Sequence, residues 1–295
     1  MKKTLFKGAA TALITPLDEN GVNYAQLGKL IDWQIGEGIN ALVIAGTTGE
    51  GSTLTDDEHK AVLKYSVEKA GGRVPIIAGT GSNDTAYAVE LTKYACSVGC
   101  DGMLVVTPYY NKATQNGLIR MYETIADASD KPLILYNVPS RTGVGIEPKT
   151  YLALSEHPNI VGIKEANGNI SKIAETFALV GNRLAIYSGN DDQIVPIMSL
   201  GGMGVISVLS NVAPAETAKM CRLMLDGSTY EAAKMQLDYL PLINALFSEV
   251  NPIPVKYAMS EMGFCKNFLR LPLTEMEEAH AAVLRGLMKE KGLVK

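Results

Sequence analysis

Three histidines, four cysteines and one tryptophan are few for a chain of 295 residues. His59, His157 and His280 are scattered, and Asp191-Asp192 has no partner at ligand spacing, so no metal is expected. Cys96, Cys100, Cys221 and Cys265 lack zinc-ribbon spacing and are expected as small buried thiols in a reducing compartment, not as disulfides. No apolar run approaches the roughly 18 residues of a membrane span, and no disordered or low-complexity tract appears. A basic excess is missing too: 27 lysines and arginines face 31 acidic residues, a net charge of −4 that offers no field for nucleic acid or anionic lipid. The start, Met1-Lys2-Lys3-Thr4-Leu5-Phe6, has no apolar stretch of signal-peptide type, so a cytoplasmic protein is expected. Nucleotide fingerprints fail as well. Gly46-Thr47-Thr48-Gly49-Glu50-Gly51 is not followed by Gly-Lys-Ser/Thr, and Asp84 stands where a third glycine would follow Gly79-Thr80-Gly81. Beyond Gly201-Gly202 there is no phosphate loop to serve pyridoxal phosphate. These absences leave a soluble protein with cofactor-free small-molecule chemistry.

What is present is alternation. Apolar β-type runs recur, each followed by a polar turn and a stretch of helical periodicity, with strand ends expected near Ile14, Gly46, Ala78, Thr107, Tyr136, Lys164, Ser188 and Ile206. The separations fall from about 32 to about 18 residues along the chain, near the length of one strand plus one helix. Eight such units predict an α/β fold, a (β/α)8 TIM barrel over residues 1–228, with the active site at the C-terminal ends of the strands. Thr55, followed by three acidic residues, predicts a helix from 56 to the stop at Gly71-Gly72. Helices are also expected over 214–225, 229–249, 254–263 and 274–290, the last three forming a C-terminal helical extension, 229–295, packed on the barrel.

One stretch organises the chemistry. Ile160-Val161-Gly162-Ile163-Lys164-Glu165-Ala166 reads as a buried strand with a lysine at its C-terminal lip. A cationic amine is costly to bury, and a neutral one is a nucleophile. The competing reading has Lys164 reaching solvent or pairing with Glu165. Tyr136 ends the preceding strand, so a phenol able to pass protons would meet the same mouth; alone it would read as a packed aromatic. Arg141, in the proline-stiffened loop Asn137-Val138-Pro139-Ser140-Arg141-Thr142-Gly143, carries a fork suited to a carboxylate, unless it is simply exposed. The glycines of residues 46–51 permit positive φ and bring backbone amides near an anion, although Thr47 and Thr48 could equally cap a turn. Tyr109-Tyr110 closes the fourth strand, where one ring can pack while the other reaches a subunit interface.

Six motifs in order carry a resemblance over the whole length: Ala12-Leu13-Ile14-Thr15-Pro16, Gly46-Thr47-Thr48-Gly49-Glu50, Thr107-Pro108-Tyr109-Tyr110, Tyr136-Asn137-Val138-Pro139, Gly162-Ile163-Lys164-Glu165 and Asn251-Pro252-Ile253-Pro254-Val255-Lys256. With them the chain resembles the dihydrodipicolinate synthase and N-acetylneuraminate lyase superfamily of pyruvate-dependent class I aldolases. The resemblance implies that Lys164 forms a Schiff base with pyruvate and that Tyr136 gives and takes protons. It implies that Thr47 links Tyr136 to Tyr110 of a neighbouring subunit, in a homo-oligomer, a homotetramer built from dimers. Thr48, Gly189 and Ile206 would surround pyruvate, and Arg141 would bind the carboxylate of L-aspartate 4-semialdehyde. The Arg141 context, with threonine at 47, sides with the branch serving lysine biosynthesis. The nearest rival is an aldolase acting on a sialic acid or a 2-keto-3-deoxy sugar acid, and a third reading is a non-catalytic barrel that senses a keto acid. The regulatory lysine pocket known in parts of the superfamily would be lined by Gly51, Ser52, Asp56, His59, Asn83, Tyr87 and Tyr109. Many lysine-sensitive members carry histidine at the position of Asp56 and glutamate at that of Tyr87, so weak or absent lysine inhibition is expected here.

Overall fold

The computed structural model describes residues 2 and 4–295, so the targeting reading of the first residues lies partly outside it, at Met1 and Lys3. Eight parallel strands alternate with helices: β1 (Gly8–Ala12), β2 (Ala41–Ile44), β3 (Ile76–Gly79), β4 (Gly102–Val106), β5 (Leu133–Asn137), β6 (Ile160–Glu165), β7 (Ala185–Ser188) and β8 (Gly204–Ser207). Each pairs with the next in chain order, and β8 returns to β1, with Gly8 opposite Gly204 and Ala10 opposite Ile206. The sheet is a closed (β/α)8 barrel with no free edge. Every strand end falls within two residues of its expected position. The first is displaced because the Ile14 amide leaves the ladder and donates to Asn211 Oδ1 at 3.1 Å.

Strand alternation sorts the interior into two cores. Ala10, Ala41, Val43, Ile77, Leu104, Ile134, Tyr136, Ala185, Tyr187 and Ile206 fill the barrel, while Ala9, Leu42, Ile76, Met103, Leu135 and Ile163 face the helices. Small inward residues make room for a few large ones. Tyr187 stacks on Phe6 with centroids 4.3 Å apart and donates its hydroxyl to the Phe6 carbonyl at 2.7 Å, plugging the N-terminal end.

Helices α1 (Tyr24–Gly36), α2 (Asp56–Ala70), α3 (Thr85–Ser97), α4 (Gln115–Asp127), α5 (Pro148–Leu154), α6 (Ile170–Val180), α7 (Ile194–Ser199) and α8 (Pro214–Leu225) surround the sheet. The residues predicted to start and stop α2 do so: Thr55 and Glu58 form a reciprocal capping box, and Gly71 takes the left-handed C-terminal position at φ 57°. Three further helices follow, α9 (Thr229–Ala245), α10 (Ile253–Glu261) and α11 (Glu278–Glu290). α9 packs on α7 and α8, and α11 packs on α9 and α10. α9 stops four residues short of expectation: beyond Ala245 the Phe247 and Ser248 amides donate three residues back, to the Asn244 and Ala245 carbonyls at 3.1 and 3.3 Å, and the last turn tightens out of the α-helix. α11 begins at Glu278 rather than 274, where Glu249 accepts from the Glu277 amide at 3.0 Å and meets the His280 ring at 2.8 Å.

All four cysteines are free. Burial pushes the Cys100 and Cys221 thiols up to about 12 and that of Cys265 to about 11. Cys96 departs from expectation in being only half-buried, with its sulfur 3.4 Å from Ser129 Oγ. Among the described residues, no helix is long and apolar enough to cross a membrane.

Candidate active site

Lys164 and Tyr136 sit directly opposite each other on β6 and β5, at the C-terminal mouth. Both point inward by strand parity, and the Lys164 amine, in a residue 5% exposed, lies 4.2 Å from the centroid of the Tyr136 ring. A π face at that range stabilises a cation on the lysine nitrogen. The alternative pairing with Glu165 is overturned. Glu165 points outward into the helix layer, where its carboxylate accepts from Asn137 Nδ2 at 3.0 and 3.2 Å, the Tyr151 hydroxyl at 2.9 Å and the Asn167 amide at 3.0 Å.

That outward carboxylate fixes the ends of both reactive strands. Burial raises Glu165 from 4.5 to about 7, against four hydrogen bonds that favour the charge. A group that binds its proton more tightly when folded loses stability for the fold as pH rises from about 4.5 to about 7, and nothing further above. The chain should therefore lose on the order of 1–3 kcal/mol across that interval from this one group. Glu165→Gln should flatten the slope, as measured by urea midpoints at pH 5, 6, 7 and 8.

The turn after β2 is tighter than its glycines alone suggest. Its positive φ values belong to Ala45 (53°) and Glu50 (54°), not to Gly46, Gly49 or Gly51. The glycines instead permit close packing: a Cβ on Gly51 would lie 2.2 Å, and one on Gly79 2.6 Å, from the Ala45 carbonyl oxygen. Thr48 is buried and Thr47 exposed. Glu50 faces away from solvent into an ion pair with Lys256 of α10, neither side chain having exposed surface. Burial pushes the Lys256 amine down while Glu50 opposes that shift. Glu50 Oε2 also accepts from the Arg270 amide at 3.3 Å, and Arg270 holds Glu58 with two contacts of 2.6 Å that lower Glu58 to about 2.

A cavity of ≈ 400 Å³ brings Thr47, Tyr136 and Arg141 together and extends to Ser52, His59 and Tyr109. Arg141 lies on a short helical turn, Pro139–Thr142, rather than an irregular loop, because Pro139 is pre-set for a first helical position. Gly189 follows β7 and Ile206 lies buried in β8, on the same mouth as Lys164. Asp191, two residues after Gly189, is a buried carboxylate whose Oδ2 accepts from the Val208 and Leu209 amides at 2.9 Å each. Burial raises its pKa and the nearby Lys164 charge opposes the rise. Tyr110 is not brought to this cavity: it is 91% exposed, with φ 70°, and projects outward. Asn83 meets that segment, its carbonyl accepting from Asn111 Nδ2 at 2.9 Å. Glu50 and Asn251 stood inside recognised motifs without an assigned role. Their partners lie more than 200 residues away, and no local pattern announces them. Among the described residues, no three His, Cys, Asp or Glu side chains converge as metal donors.

A sequence profile described as the dihydrodipicolinate synthetase family matches residues 5–291. The chain belongs to that family. It is 54% identical over 294 residues to the 4-hydroxy-tetrahydrodipicolinate synthase of Acetivibrio thermocellus, covering 100% of both chains. Its fold is similar to the chloride-inhibited dihydrodipicolinate synthase of Acinetobacter baumannii complexed with pyruvate, at a TM-score of 0.96 and 44% identity over 99% of this chain and 100% of that one. A third member of the dihydrodipicolinate synthetase family, described as the first monomeric variant, matches with a TM-score of 0.97 and 41% identity over 98% of each chain.

Proposed function

We propose that the chain condenses pyruvate with L-aspartate 4-semialdehyde, the reaction of a 4-hydroxy-tetrahydrodipicolinate synthase. The observation that carries this reading is the opposition of Tyr136 and Lys164 on adjacent strands, with the amine 4.2 Å over the phenol ring. The Lys164 amine adds to the pyruvate ketone and water leaves, giving a protonated imine whose charge sits over the Tyr136 ring. Loss of a methyl proton gives an enamine, with Tyr136 moving protons at the mouth and Thr47 and Tyr110 completing the relay. The enamine carbon attacks the aldehyde, and the amine of the second substrate then closes on the imine carbon and releases Lys164. Thr48, Gly189 and Ile206 hold the pyruvate end, and Arg141 takes the aldehyde substrate's carboxylate. The chain's own lysine supplies the electron sink, without metal or cofactor. Turnover with L-aspartate 4-semialdehyde and none with N-acetylmannosamine is the expected outcome of a substrate comparison; the reverse would assign the chain to the sialic acid lyases.

The exposure and positive φ of Tyr110 support its delivery to a neighbouring subunit, in a homotetramer built from dimers. We read residues 229–295 as an extension serving the 1–228 barrel rather than an independent domain, and the cytoplasm as its place.

Lysine inhibition should be weak. In the pocket lined by Ser52, His59, Tyr87 and Tyr109, which Asn83 does not line, the Tyr87 hydroxyl donates to Asp56 Oδ1 at 3.0 Å and Lys60 takes Asp56 Oδ2 at 2.7 Å. The acid that could hold the ammonium group of lysine is therefore already engaged, and His59, whose pKa burial lowers, donates from Nε2 to the Gly79 carbonyl at 2.9 Å. Steady-state rates should be unchanged by submillimolar lysine; half-maximal inhibition in that range would refute the reading.

A further inference from the structure

The helical extension reaches the mouth of the barrel at Asn251, the second residue before α10 and 5% exposed. Its Nδ2 donates to Thr48 Oγ1 at 3.0 Å, and its backbone carbonyl accepts from Arg141 Nη2 at 3.2 Å. The remaining amide atom, Oδ1, is buried with no hydrogen-bond partner. Turning the amide over does not help, because the Thr48 hydroxyl could then donate to Oδ1 but the NH2 group would be left orphaned. Buried amides without a partner are rare, and this one touches one residue on the pyruvate side and one on the aldehyde side.

We propose that Asn251 is a binding residue for the second substrate, its amide oxygen accepting from the α-ammonium group while Arg141 takes the carboxylate on the same carbon. The proposal rests on the condensing reaction above. An α-amino acid head group offers an acceptor and a donor side by side, and a guanidinium beside a carbonyl oxygen is its complement. Without substrate, Arg141 rests on the Asn251 carbonyl. A carboxylate bound to Arg141 would therefore lie beside Asn251, whose amide oxygen has no partner within the chain. A neutral acceptor also suits the later chemistry. The bound amine must lose a proton before it attacks the imine carbon, and a carboxylate at this position would hold the proton more firmly.

The experiment uses the full-length protein and succinate semialdehyde, which keeps the aldehyde and carboxylate but has no amine. Asn251→Ala should raise KM for L-aspartate 4-semialdehyde about tenfold or more. Borohydride trapping of pyruvate on Lys164 and competitive inhibition by succinate semialdehyde should stay as in the unaltered protein. Equal loss with both aldehydes would reduce Asn251 to a prop for Arg141 and overturn the proposal, as would an unchanged KM. Asn251→Asp supplies a second test should the alanine variant fail to fold: the limb of its pH–rate profile that reports the substrate amine should move to higher pH, and an unmoved limb overturns the proposal. An unaltered protein that does not trap pyruvate would overturn the condensing reaction and this inference together, whereas the Asn251 outcomes bear on this inference alone.

Discussion

Lys164→Ala should leave no borohydride-trapped pyruvate on the protein and lower turnover at least a thousandfold, the scale of loss when a covalent nucleophile is removed. The expected adduct in the unaltered chain is a reduced pyruvyl group on the peptide carrying Lys164, read by mass spectrometry. Lys164→Arg keeps the charge over the Tyr136 ring but not the nucleophile, so it should fail equally. Tyr136→Phe separates the two roles. It retains the ring face and the imine while slowing turnover by about 10²–10⁴, the usual range for a lost acid–base group. An adduct on any other lysine would overturn the assignment. All three variants should melt within a few degrees of the unaltered chain, because an amine in a nearly closed site adds little to folding.

The largest stability effect is expected at Glu50 and Lys256. Both side chains lack exposed surface, so removing one leaves the other as an unpaired charge out of water. Lys256→Met should cost about 3–5 kcal/mol, and Glu50→Gln a similar amount. For a barrel of this size, melting points should fall by roughly 5–15 °C. Replacing both by apolar residues of similar volume should recover much of the loss, because the desolvation cost disappears with the pair. Activity should not recover in parallel. Glu50 holds its φ of 54° at the end of the turn that carries Thr47 and Thr48, and the pair is what ties that turn to α10. A double variant with both full stability and full activity would disprove the anchoring role.

Local patterns made most of the barrel legible. Continuous apolar runs such as Leu133–Asn137 report strands buried on both faces, and the capping residues Thr55 and Gly71 bound α2 to the residue. The opposition of Tyr136 and Lys164 was legible as well, since one βα unit separates two strand ends that must face one mouth. Two kinds of feature were not. The outward turn of Glu165 depends on strand parity relative to a lysine beside it, and an acid next to a base in sequence suggests a pair that the pleat forbids. The glycine turn at 46–51 misled in the same way. Sequence reading gives positive φ to glycine, but here the crowding around the Ala45 carbonyl demands glycine at 51 and 79, and the strained angles pass to Ala45 and Glu50. The role of the extension at the mouth rests on Thr48, Arg141 and Asn251, which meet only after the ring has closed.

That late meeting sets an order of events during synthesis. Glu50 and Lys256 are 206 residues apart, so a ribosome adding about 5–20 residues per second emits the lysine about 10–40 s after the carboxylate it must neutralise. Throughout that interval the carboxylate has no buried partner, and the turn that carries it lacks its tether to α10. All eight barrel strands, ending at Ser207, precede Lys256 in the chain. The turn that carries Thr47 and Thr48 is thus held from both ends of the chain, and its last tether is made after the barrel strands have been synthesised.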